Sequence, residues 1–169
     1  MTTIIRPQTD AAVLDRDTLR RAFGAFPSGV VAVAAHVDGL PVGMVASSFT
    51  SVSLEPALVS FSIANTSSTW PALRRAVRLG VSVLADHHDR VCRQLAGPSD
   101  ERFAGLATSE TDQAALLLTD AVATFDCSIF REVEAGDHTI VLLELHAVGD
   151  HGNVPPLVFH RSGFGRLAS

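Results

Sequence analysis

A chain of 169 residues with 47% hydrophobic and 18% charged residues holds enough apolar side chain for one sizeable core, which excludes an intrinsically disordered protein. Its formal net charge of -5, with arginines scattered among acids, excludes a nucleic-acid surface, because phosphate binding calls for clustered cations. No stretch approaches the roughly 20 apolar residues of a membrane span, and residues 1–14, interrupted by Arg6, Pro7, Gln8 and Asp10, lack the apolar centre of a signal peptide. Cys92 and Cys127 lie far apart and make no C-x-x-C pair, which points to a reducing cytoplasm without structural disulfides. The expected organisation is a loose N-terminal arm over 1–14 followed by one domain over 15–169.

Taken in chain order, the first element is a helix capped by Asp15 or Asp17, with Leu19, Ala22, Phe23 and Phe26 on one face to be packed, ending at Pro27-Ser28-Gly29. Val30 to His36 and Pro41 to Ala46 read as the two arms of a hairpin turned at Val37-Asp38-Gly39-Leu40. Leu58 to Ile63 alternates Val59, Phe61 and Ile63 with serines, as a strand with one buried face does. Trp70–Ala76 and Asp89–Leu95 read as short helices, the second closed by Gly97-Pro98, and Leu79–Leu84 between them as a strand. Val122–Arg131, with Ala123, Phe125, Cys127 and Ile129 on one face, Thr139–Val148 and Leu157–Arg161 complete the strands. Six or seven strands with few helices between them predict an antiparallel barrel rather than a doubly wound sheet.

Two segments invite a ligand. Gly43 to Pro56 is rich in hydroxyls directly after a strand, and such residues leave backbone groups accessible to the edge of a planar, hydrogen-bonding ring. An ordinary Ser/Thr-rich loop bonding its own backbone accounts for the same residues. Asn65-Thr66-Ser67-Ser68-Thr69 precedes a helical turn carrying Pro71, where hydroxyls and unpaired N–H groups suit an anion, although simple capping by Ser68 or Thr69 is equally consistent.

In order along the chain stand Phe26-Pro27-Ser28-Gly29-Val30, Pro41-Val42-Gly43-Met44, Ser48-Phe49-Thr50-Ser51-Val52-Ser53, Ser67-Ser68-Thr69, Gly136-Asp137-His138 and Pro156 to Arg161. In that combination, from about Leu19 to Leu167, the sequence resembles the flavin reductases that serve two-component flavin monooxygenases. The resemblance implies a split β-barrel of Greek-key, antiparallel type, a homodimer, and reduction of FMN or FAD by NADH or NADPH, with reduced flavin passing to a partner monooxygenase. It further implies that Ala46, Ser47, Ser48, Phe49, Thr50, Ser51, Val52 and Ser53 lie along the isoalloxazine and ribityl chain, and Ser67, Ser68 and Thr69 near the flavin phosphate. Gly136, Asp137, His138, His160 and Phe164 fall to the nicotinamide nucleotide, with His138 as the catalytic candidate. Arg102-Phe103 matches a further family piece of undefined role. Ser47 stands where an Asn is common in the family, and Phe164 where many members have Tyr.

The chemistry asks little of side chains, because the flavin itself accepts the hydride. A histidine near neutrality at His138 suits a carboxamide contact or a proton, and it equally suits a plain turn before the next strand. Gly163-Phe164-Gly165 is only a fragment of a dinucleotide fingerprint, with no following helix. His138 and His146 on one strand would stand about 26 Å apart at about 3.3 Å per residue, too far to share a metal. His87-His88-Asp89 lacks metal-ligand spacing, so no metal is expected. Two other readings stay open: a pyridoxamine-phosphate-oxidase-like enzyme that retains its flavin, and a non-catalytic flavin-binding electron carrier.

Overall fold

The computed structural model describes residues 14–152 and 154–167, so the arm expected over 1–14 lies, apart from Leu14, outside the described residues. The elements in chain order are α1 (Arg16–Phe23), β1 (Ser28–Gly29), β2 (Val31–Val37), β3 (Leu40–Ala46), β4 (Thr50–Leu54), β5 (Ala57–Ala64), α2 (Trp70–Leu73), β6 (Leu79–Val83), α3 (Asp89–Leu95), β7 (Thr108–Glu110), β8 (Leu116–Leu118), β9 (Ala123–Ala135), β10 (His138–Asp150), β11 (Val158–His160) and β12 (Gly163–Gly165). No helix among the described residues is long and apolar enough to cross a membrane.

Seven strands pair antiparallel in the order β3-β2-β6-β9-β10-β5-β4. β3 and β4 follow one another in the chain yet end opposite edges of that order, so the sheet rolls up for the short segment 47–49 to join them. Ser48 marks the seam. Its hydroxyl accepts the Ser62 N–H at 2.9 Å and donates to the Ser62 carbonyl at 3.1 Å, in place of a strand ladder. Register slips at Phe130, His146 and Val52 add bulges that bend the long strands. The β5-to-β6 connection skips β9 and β10, a Greek-key step. The mainly β, antiparallel reading holds, with the barrel split at the Ser48 seam.

Burial explains why these segments form strands. Val31, Val33, Ala35 and Val37 of β2 join Phe61, Leu79, Val81, Cys127, Val141 and Leu143 inside the barrel. Ala32 and the preceding Val30 face outward onto Leu84, Cys92, Leu95, Leu118, Ala121 and Leu157. A strand covered on both faces is written as a near-continuous apolar run, as Val30 to His36 is. Its turn to β3 uses Asp38 at φ 54° and Gly39 at φ 78°, the backbone that a two-residue type I′ hairpin needs.

Several expectations need correction. Asp15 caps α1 by accepting the N–H groups of Asp17 and Thr18 at 3.0 and 2.9 Å, but the helix ends at Phe23 and its apolar face is bare, with Phe23 71% and Phe26 78% exposed. The helix read over Trp70–Ala76 is the single turn α2. Thr50–Leu54, read as part of a loop, is the edge strand β4, because its hydroxyls mask a strand whose β5 partner supplies the ladder. The short strands β7, β8 and β12 fall below the length at which alternation shows.

Candidate functional site

Three clefts open one after another along β3. At its C-terminal end Val45, Ala46 and Ser47 face Cys92, Arg93 and Ala96, with Phe159 and Phe164 beside them, around about 310 Å³. At mid-strand Pro41, Val42 and Gly43 face Gly97, Pro98, Ser99 and Arg102 across about 440 Å³, with Ser68 and Thr69 on the flank. At the N-terminal end Leu40, Pro41 and Val42 face Ser99, Asp100, Phe103 and Ala104 across about 650 Å³. One wall of this trough is β3 and its continuation through Ser47, and the other is α3 with the segment that follows it.

The segment 46–53 spreads over several duties. Ala46 is buried at the end of β3, and Ser47 is exposed in the first cleft. Ser48 spends its hydroxyl on the seam. Phe49 stacks on Phe125 with centroids 5.9 Å apart and packs, half-buried, against the barrel core. Thr50, Ser51, Val52 and Ser53 lie in β4, where Thr50 Oγ1 donates to the Ser51 carbonyl at 3.3 Å. Ser53 Oγ accepts the Glu55 N–H and donates to the Glu55 carbonyl, both at 3.2 Å. Because β4 has a neighbour on one flank only, its other flank presents a row of backbone donors and acceptors.

The three hydroxyls of 67–69 are divided. Thr69 holds the N-cap position of α2 but makes no side-chain cap bond, and the hydroxyl that accepts the Trp70 N–H, at 3.2 Å, is that of Ser67. Ser67 lines a separate cleft of about 200 Å³ with Asn65, Trp70, Arg74, Glu132 and Thr139. There Glu132 accepts from Trp70 Nε1 at 2.8 Å and from Arg74 at 2.6 Å. Ser68 and Thr69 face the mid-strand cleft instead. Arg102, whose role the sequence leaves open, ties that cleft together: Nε donates to the Gly97 carbonyl at 2.9 Å, and Nη1 donates to the Gly43 carbonyl at 2.9 Å and to Thr69 Oγ1 at 2.8 Å.

Gly136-Asp137 forms the two-residue turn between β9 and β10, with Gly136 at φ 67°, the backbone that favours glycine there. Asn65 holds the turn, its backbone N–H donating to the Asp137 carbonyl at 3.0 Å and its Nδ2 to the Gly136 carbonyl at 3.2 Å. Thr139 Oγ1 in turn donates to Asn65 Oδ1 at 2.9 Å. His138 Nδ1 lies 2.7 Å from Asp137 Oδ1, and that hydrogen bond, with the charge of His138, holds the Asp137 carboxyl below its ordinary value. With Nδ1 engaged on a carboxylate, Nε2 is the atom left for a ligand. Within one chain Gly136, Asp137 and His138 line none of the three clefts along β3. They sit across β5 from the seam, His138 opposite Ala64 on one flank and Ser48 against Ser62 on the other.

Phe164 does reach the first cleft, tilted against Phe159 at 5.7 Å and capped by the Arg93 guanidinium 5.0 Å above its ring. His160 points away from that cleft, which Phe159 lines in its place, as strand alternation requires. The turn between β11 and β12 holds Arg161 at φ 49° and Ser162 at φ 62°, a left-handed backbone in two residues that carry a Cβ, and Ser162 completes the cleft rim. Sequence reasoning misses Arg93 and Ser162 as lining residues of the first cleft, and places Asn65 in an anion-binding segment where it instead holds the Gly136-Asp137 turn.

His87, His88 and Asp120 bring their ligand atoms within 4.8 Å of one another. They do not make a metal site. The Ala85 N–H donates to His88 Nδ1 at 3.0 Å, which puts the imidazole proton on Nε2 and leaves His88 no lone pair for a cation. That proton faces Asp120 Oδ2 at 3.0 Å, out of line for a good hydrogen bond.

The model of the flavin reductase like domain family matches residues 23–168. A flavin reductase of Pseudomonas putida is 36% identical over 159 residues, covering 94% of this chain and 94% of that protein. The reductase subunit HsaB of a flavin-dependent monooxygenase from Rhodococcus jostii is 31% identical over 91% of this chain and 79% of its own length. Among solved structures, the NADH:FAD oxidoreductase SgcE6 of Streptomyces globisporus, in complex with NAD and FAD fragments, superposes with a TM-score of 0.86 at 33% identity, over 99% of this chain and 98% of that one. With a family match over residues 23–168 and a relative 36% identical over 94% of both chains, the chain belongs to the flavin reductase like domain family.

Proposed function

We infer that the protein is an NADH- or NADPH-dependent flavin reductase that reduces FMN or FAD and releases the reduced flavin to a separate flavin-dependent monooxygenase. The observation that carries this reading is the trough along β3 in a chain of this family. Its residues fit a flavin. The free flank of β4 and the exposed Ser47 offer backbone groups to a hydrogen-bonding ring, and Ser68, Thr69 and the Arg102 guanidinium meet a phosphate. Bound flavin supplies the two-electron acceptor, so the side chains here hold and orient.

His138 serves the nicotinamide nucleotide, its Nε2 free to bond the carboxamide while Asp137 fixes the ring through Nδ1. Phe164 offers an apolar wall in the first cleft, and Gly136 and Asp137 on the β9–β10 turn and His160 at the end of β11 are assigned to the same nucleotide, although within one chain they line none of that cleft. A homodimer covers the apolar side chains that one chain leaves bare: Val52 and Leu54 on β4, the latter 97% exposed, and Phe130 and Val133 on the part of β9 that runs past β6. The two buried free thiols, Cys92 and Cys127, suit a reducing cytoplasm.

Steady-state oxidation of NADH and of NADPH, each with FMN and with FAD, tests the reading. Nucleotide oxidation that requires added flavin and turns over many equivalents is expected. Oxidation independent of added flavin would favour a retained-flavin enzyme, and none at all a carrier. In stopped flow, His138→Ala is expected to raise the nucleotide concentration needed for half-maximal reduction, or to slow reduction at least tenfold, with flavin affinity within twofold of wild type. Wild-type reduction with lost flavin binding would move His138 out of the nucleotide site.

A further inference from the structure

We propose that the cleft between α1 and the β11–β12 turn, lined by Arg20, Arg21 and Arg161, binds the 2′-phosphate of NADPH and makes NADPH the preferred donor over NADH. This rests on the flavin-reductase reading and adds to it a choice of donor.

The cleft holds about 450 Å³, with Gly24 and Ser162 completing its lining. Ser162 also rims the first cleft along β3, so the two open side by side on the β11–β12 turn and one extended ligand can enter both. The turn is fixed against the helix, since the Arg161 N–H donates to the Gly24 carbonyl at 2.9 Å. Left-handed backbone at Arg161 and Ser162, φ 49° and 62°, is strained in residues that carry a Cβ, and here it sets one arginine beside Arg20 and Arg21 at the end of α1. At the other end of the helix, Arg16 stands close to the Gly136-Asp137 turn. There its charge adds, after the hydrogen bond and charge of His138, to the hold on the Asp137 carboxyl. Eight residues of helix, about 12 Å at about 1.5 Å per residue, thus join the turn of His138 to the rim of the first cleft, the two places assigned to the nucleotide.

Charge agrees with position. The chain carries a net charge of -5, yet this cleft is cationic. Arg74, Arg75 and Arg166 lie 2.6, 2.9 and 3.5 Å from a carboxylate. Among the described residues Arg161 meets none, and Arg21 donates only to the neutral Thr18 Oγ1 at 2.9 Å. The contact of Arg20 with Asp17 is a loose one at 3.8 Å, between side chains 74% and 81% exposed, and leaves the guanidinium charge largely available. A phosphate monoester carries about −1.5 to −2 at neutral pH with three acceptor oxygens, and guanidinium groups converging from a helix and a turn match it. The 2′-hydroxyl of NADH calls instead for an acceptor, typically a carboxylate, and none lines the cleft among the described residues. The same lining thus favours the phosphate and offers the hydroxyl little.

Two measurements on the full chain with FMN present test this. Calorimetry compares adenosine 2′,5′-bisphosphate with 5′-AMP, which differ only in the 2′-phosphate, and the bisphosphate is expected to bind at least tenfold tighter. Steady-state kinetics compares the donors, and kcat/KM for NADPH is expected to exceed that for NADH at least tenfold. Arg161→Gly removes one charge at a backbone that glycine favours, and Arg21→Gln removes a second from an exposed helix face, so the double variant is expected to fold. It brings both ratios close to one. Equal binding of the two adenylates by wild type, a preference for NADH or none, or unchanged ratios in the folded double variant would each overturn the proposal. So would inorganic phosphate that displaces the bisphosphate at equal concentration, which would make the cleft a general anion site. Oxidation of neither donor with added FMN or FAD would instead overturn the flavin-reductase reading itself.

Discussion

β2 and β3 are the two arms of one hairpin, seven residues each, and their surroundings are opposite. In β2 every residue but His36 is buried, and His36 Nδ1 lies 2.9 Å from the Glu110 carboxylate. In β3 only Gly43 and Ala46 are buried. The cause is position: β2 lies between β3 and β6, whereas β3 ends the sheet. One arm is thus fixed by burial, and that fixes the other, whose free flank and outer face are left to form a wall of the trough. A ligand wall gains precision when it hangs on a strand that cannot move.

The largest test of that contrast is Val33→Asp, which places a carboxylate without a partner at a side chain of 0% exposure in β2. A loss of more than about 4 kcal/mol is expected, seen as no cooperative urea transition, and a cooperatively folded variant would deny the dry interior. Next comes a pH dependence of the same interior. Burial, and then the charge of Asp126, push the Cys127 thiol up from 9.0 to about 12. The unfolded chain therefore releases this proton from pH 9 upward while the folded chain keeps it, so stability falls as pH rises from about 9 toward 12. The slope is on the order of 1 kcal/mol per pH unit. The sequence has no lysine and no tyrosine, so few other groups titrate there. Cys127→Ala is expected to flatten most of the slope in urea melts at pH 8 to 11, and an unchanged slope would contradict it.

The smaller test belongs to β3. A Cβ at Gly43 would stand 2.5 Å from Phe103 Cζ and 2.9 Å from the Ala34 Cβ. Gly43→Val is expected to cost about 1–3 kcal/mol by overpacking and to lower flavin affinity as well. Native stability together with native flavin affinity would mean that this stretch of β3 is not the wall described.

The same contrast governs how much of the molecule is legible in the sequence. β2, β5, β6 and α3 announce themselves, because buried apolar spacing is local information, and Asp38-Gly39 names its own turn. β4 does not: Thr50, Ser51 and Ser53 read as turn residues that bond their own backbone, and two of them do, while the ladder that makes them a strand comes from β5. The resemblance to flavin reductases points to 46–53 and 67–69, but says nothing of their division of labour. That Ser48 closes a seam and Ser67 accepts the first N–H of α2 depends on where the chain turns. Arg102 is invisible as an anchor because its three acceptors come from Gly97, Gly43 and Thr69, segments that only the fold assembles.

The central claim is that flavin lies along β3, and a crystal structure of the full chain with FAD tests it most directly. The isoalloxazine is expected beside Ala46 and Ser47, and the flavin phosphate within hydrogen-bond distance of Arg102 and Thr69. Flavin seated instead in the cleft of Asn65, Ser67, Arg74 and Glu132, with the β3 trough open to solvent, would contradict it.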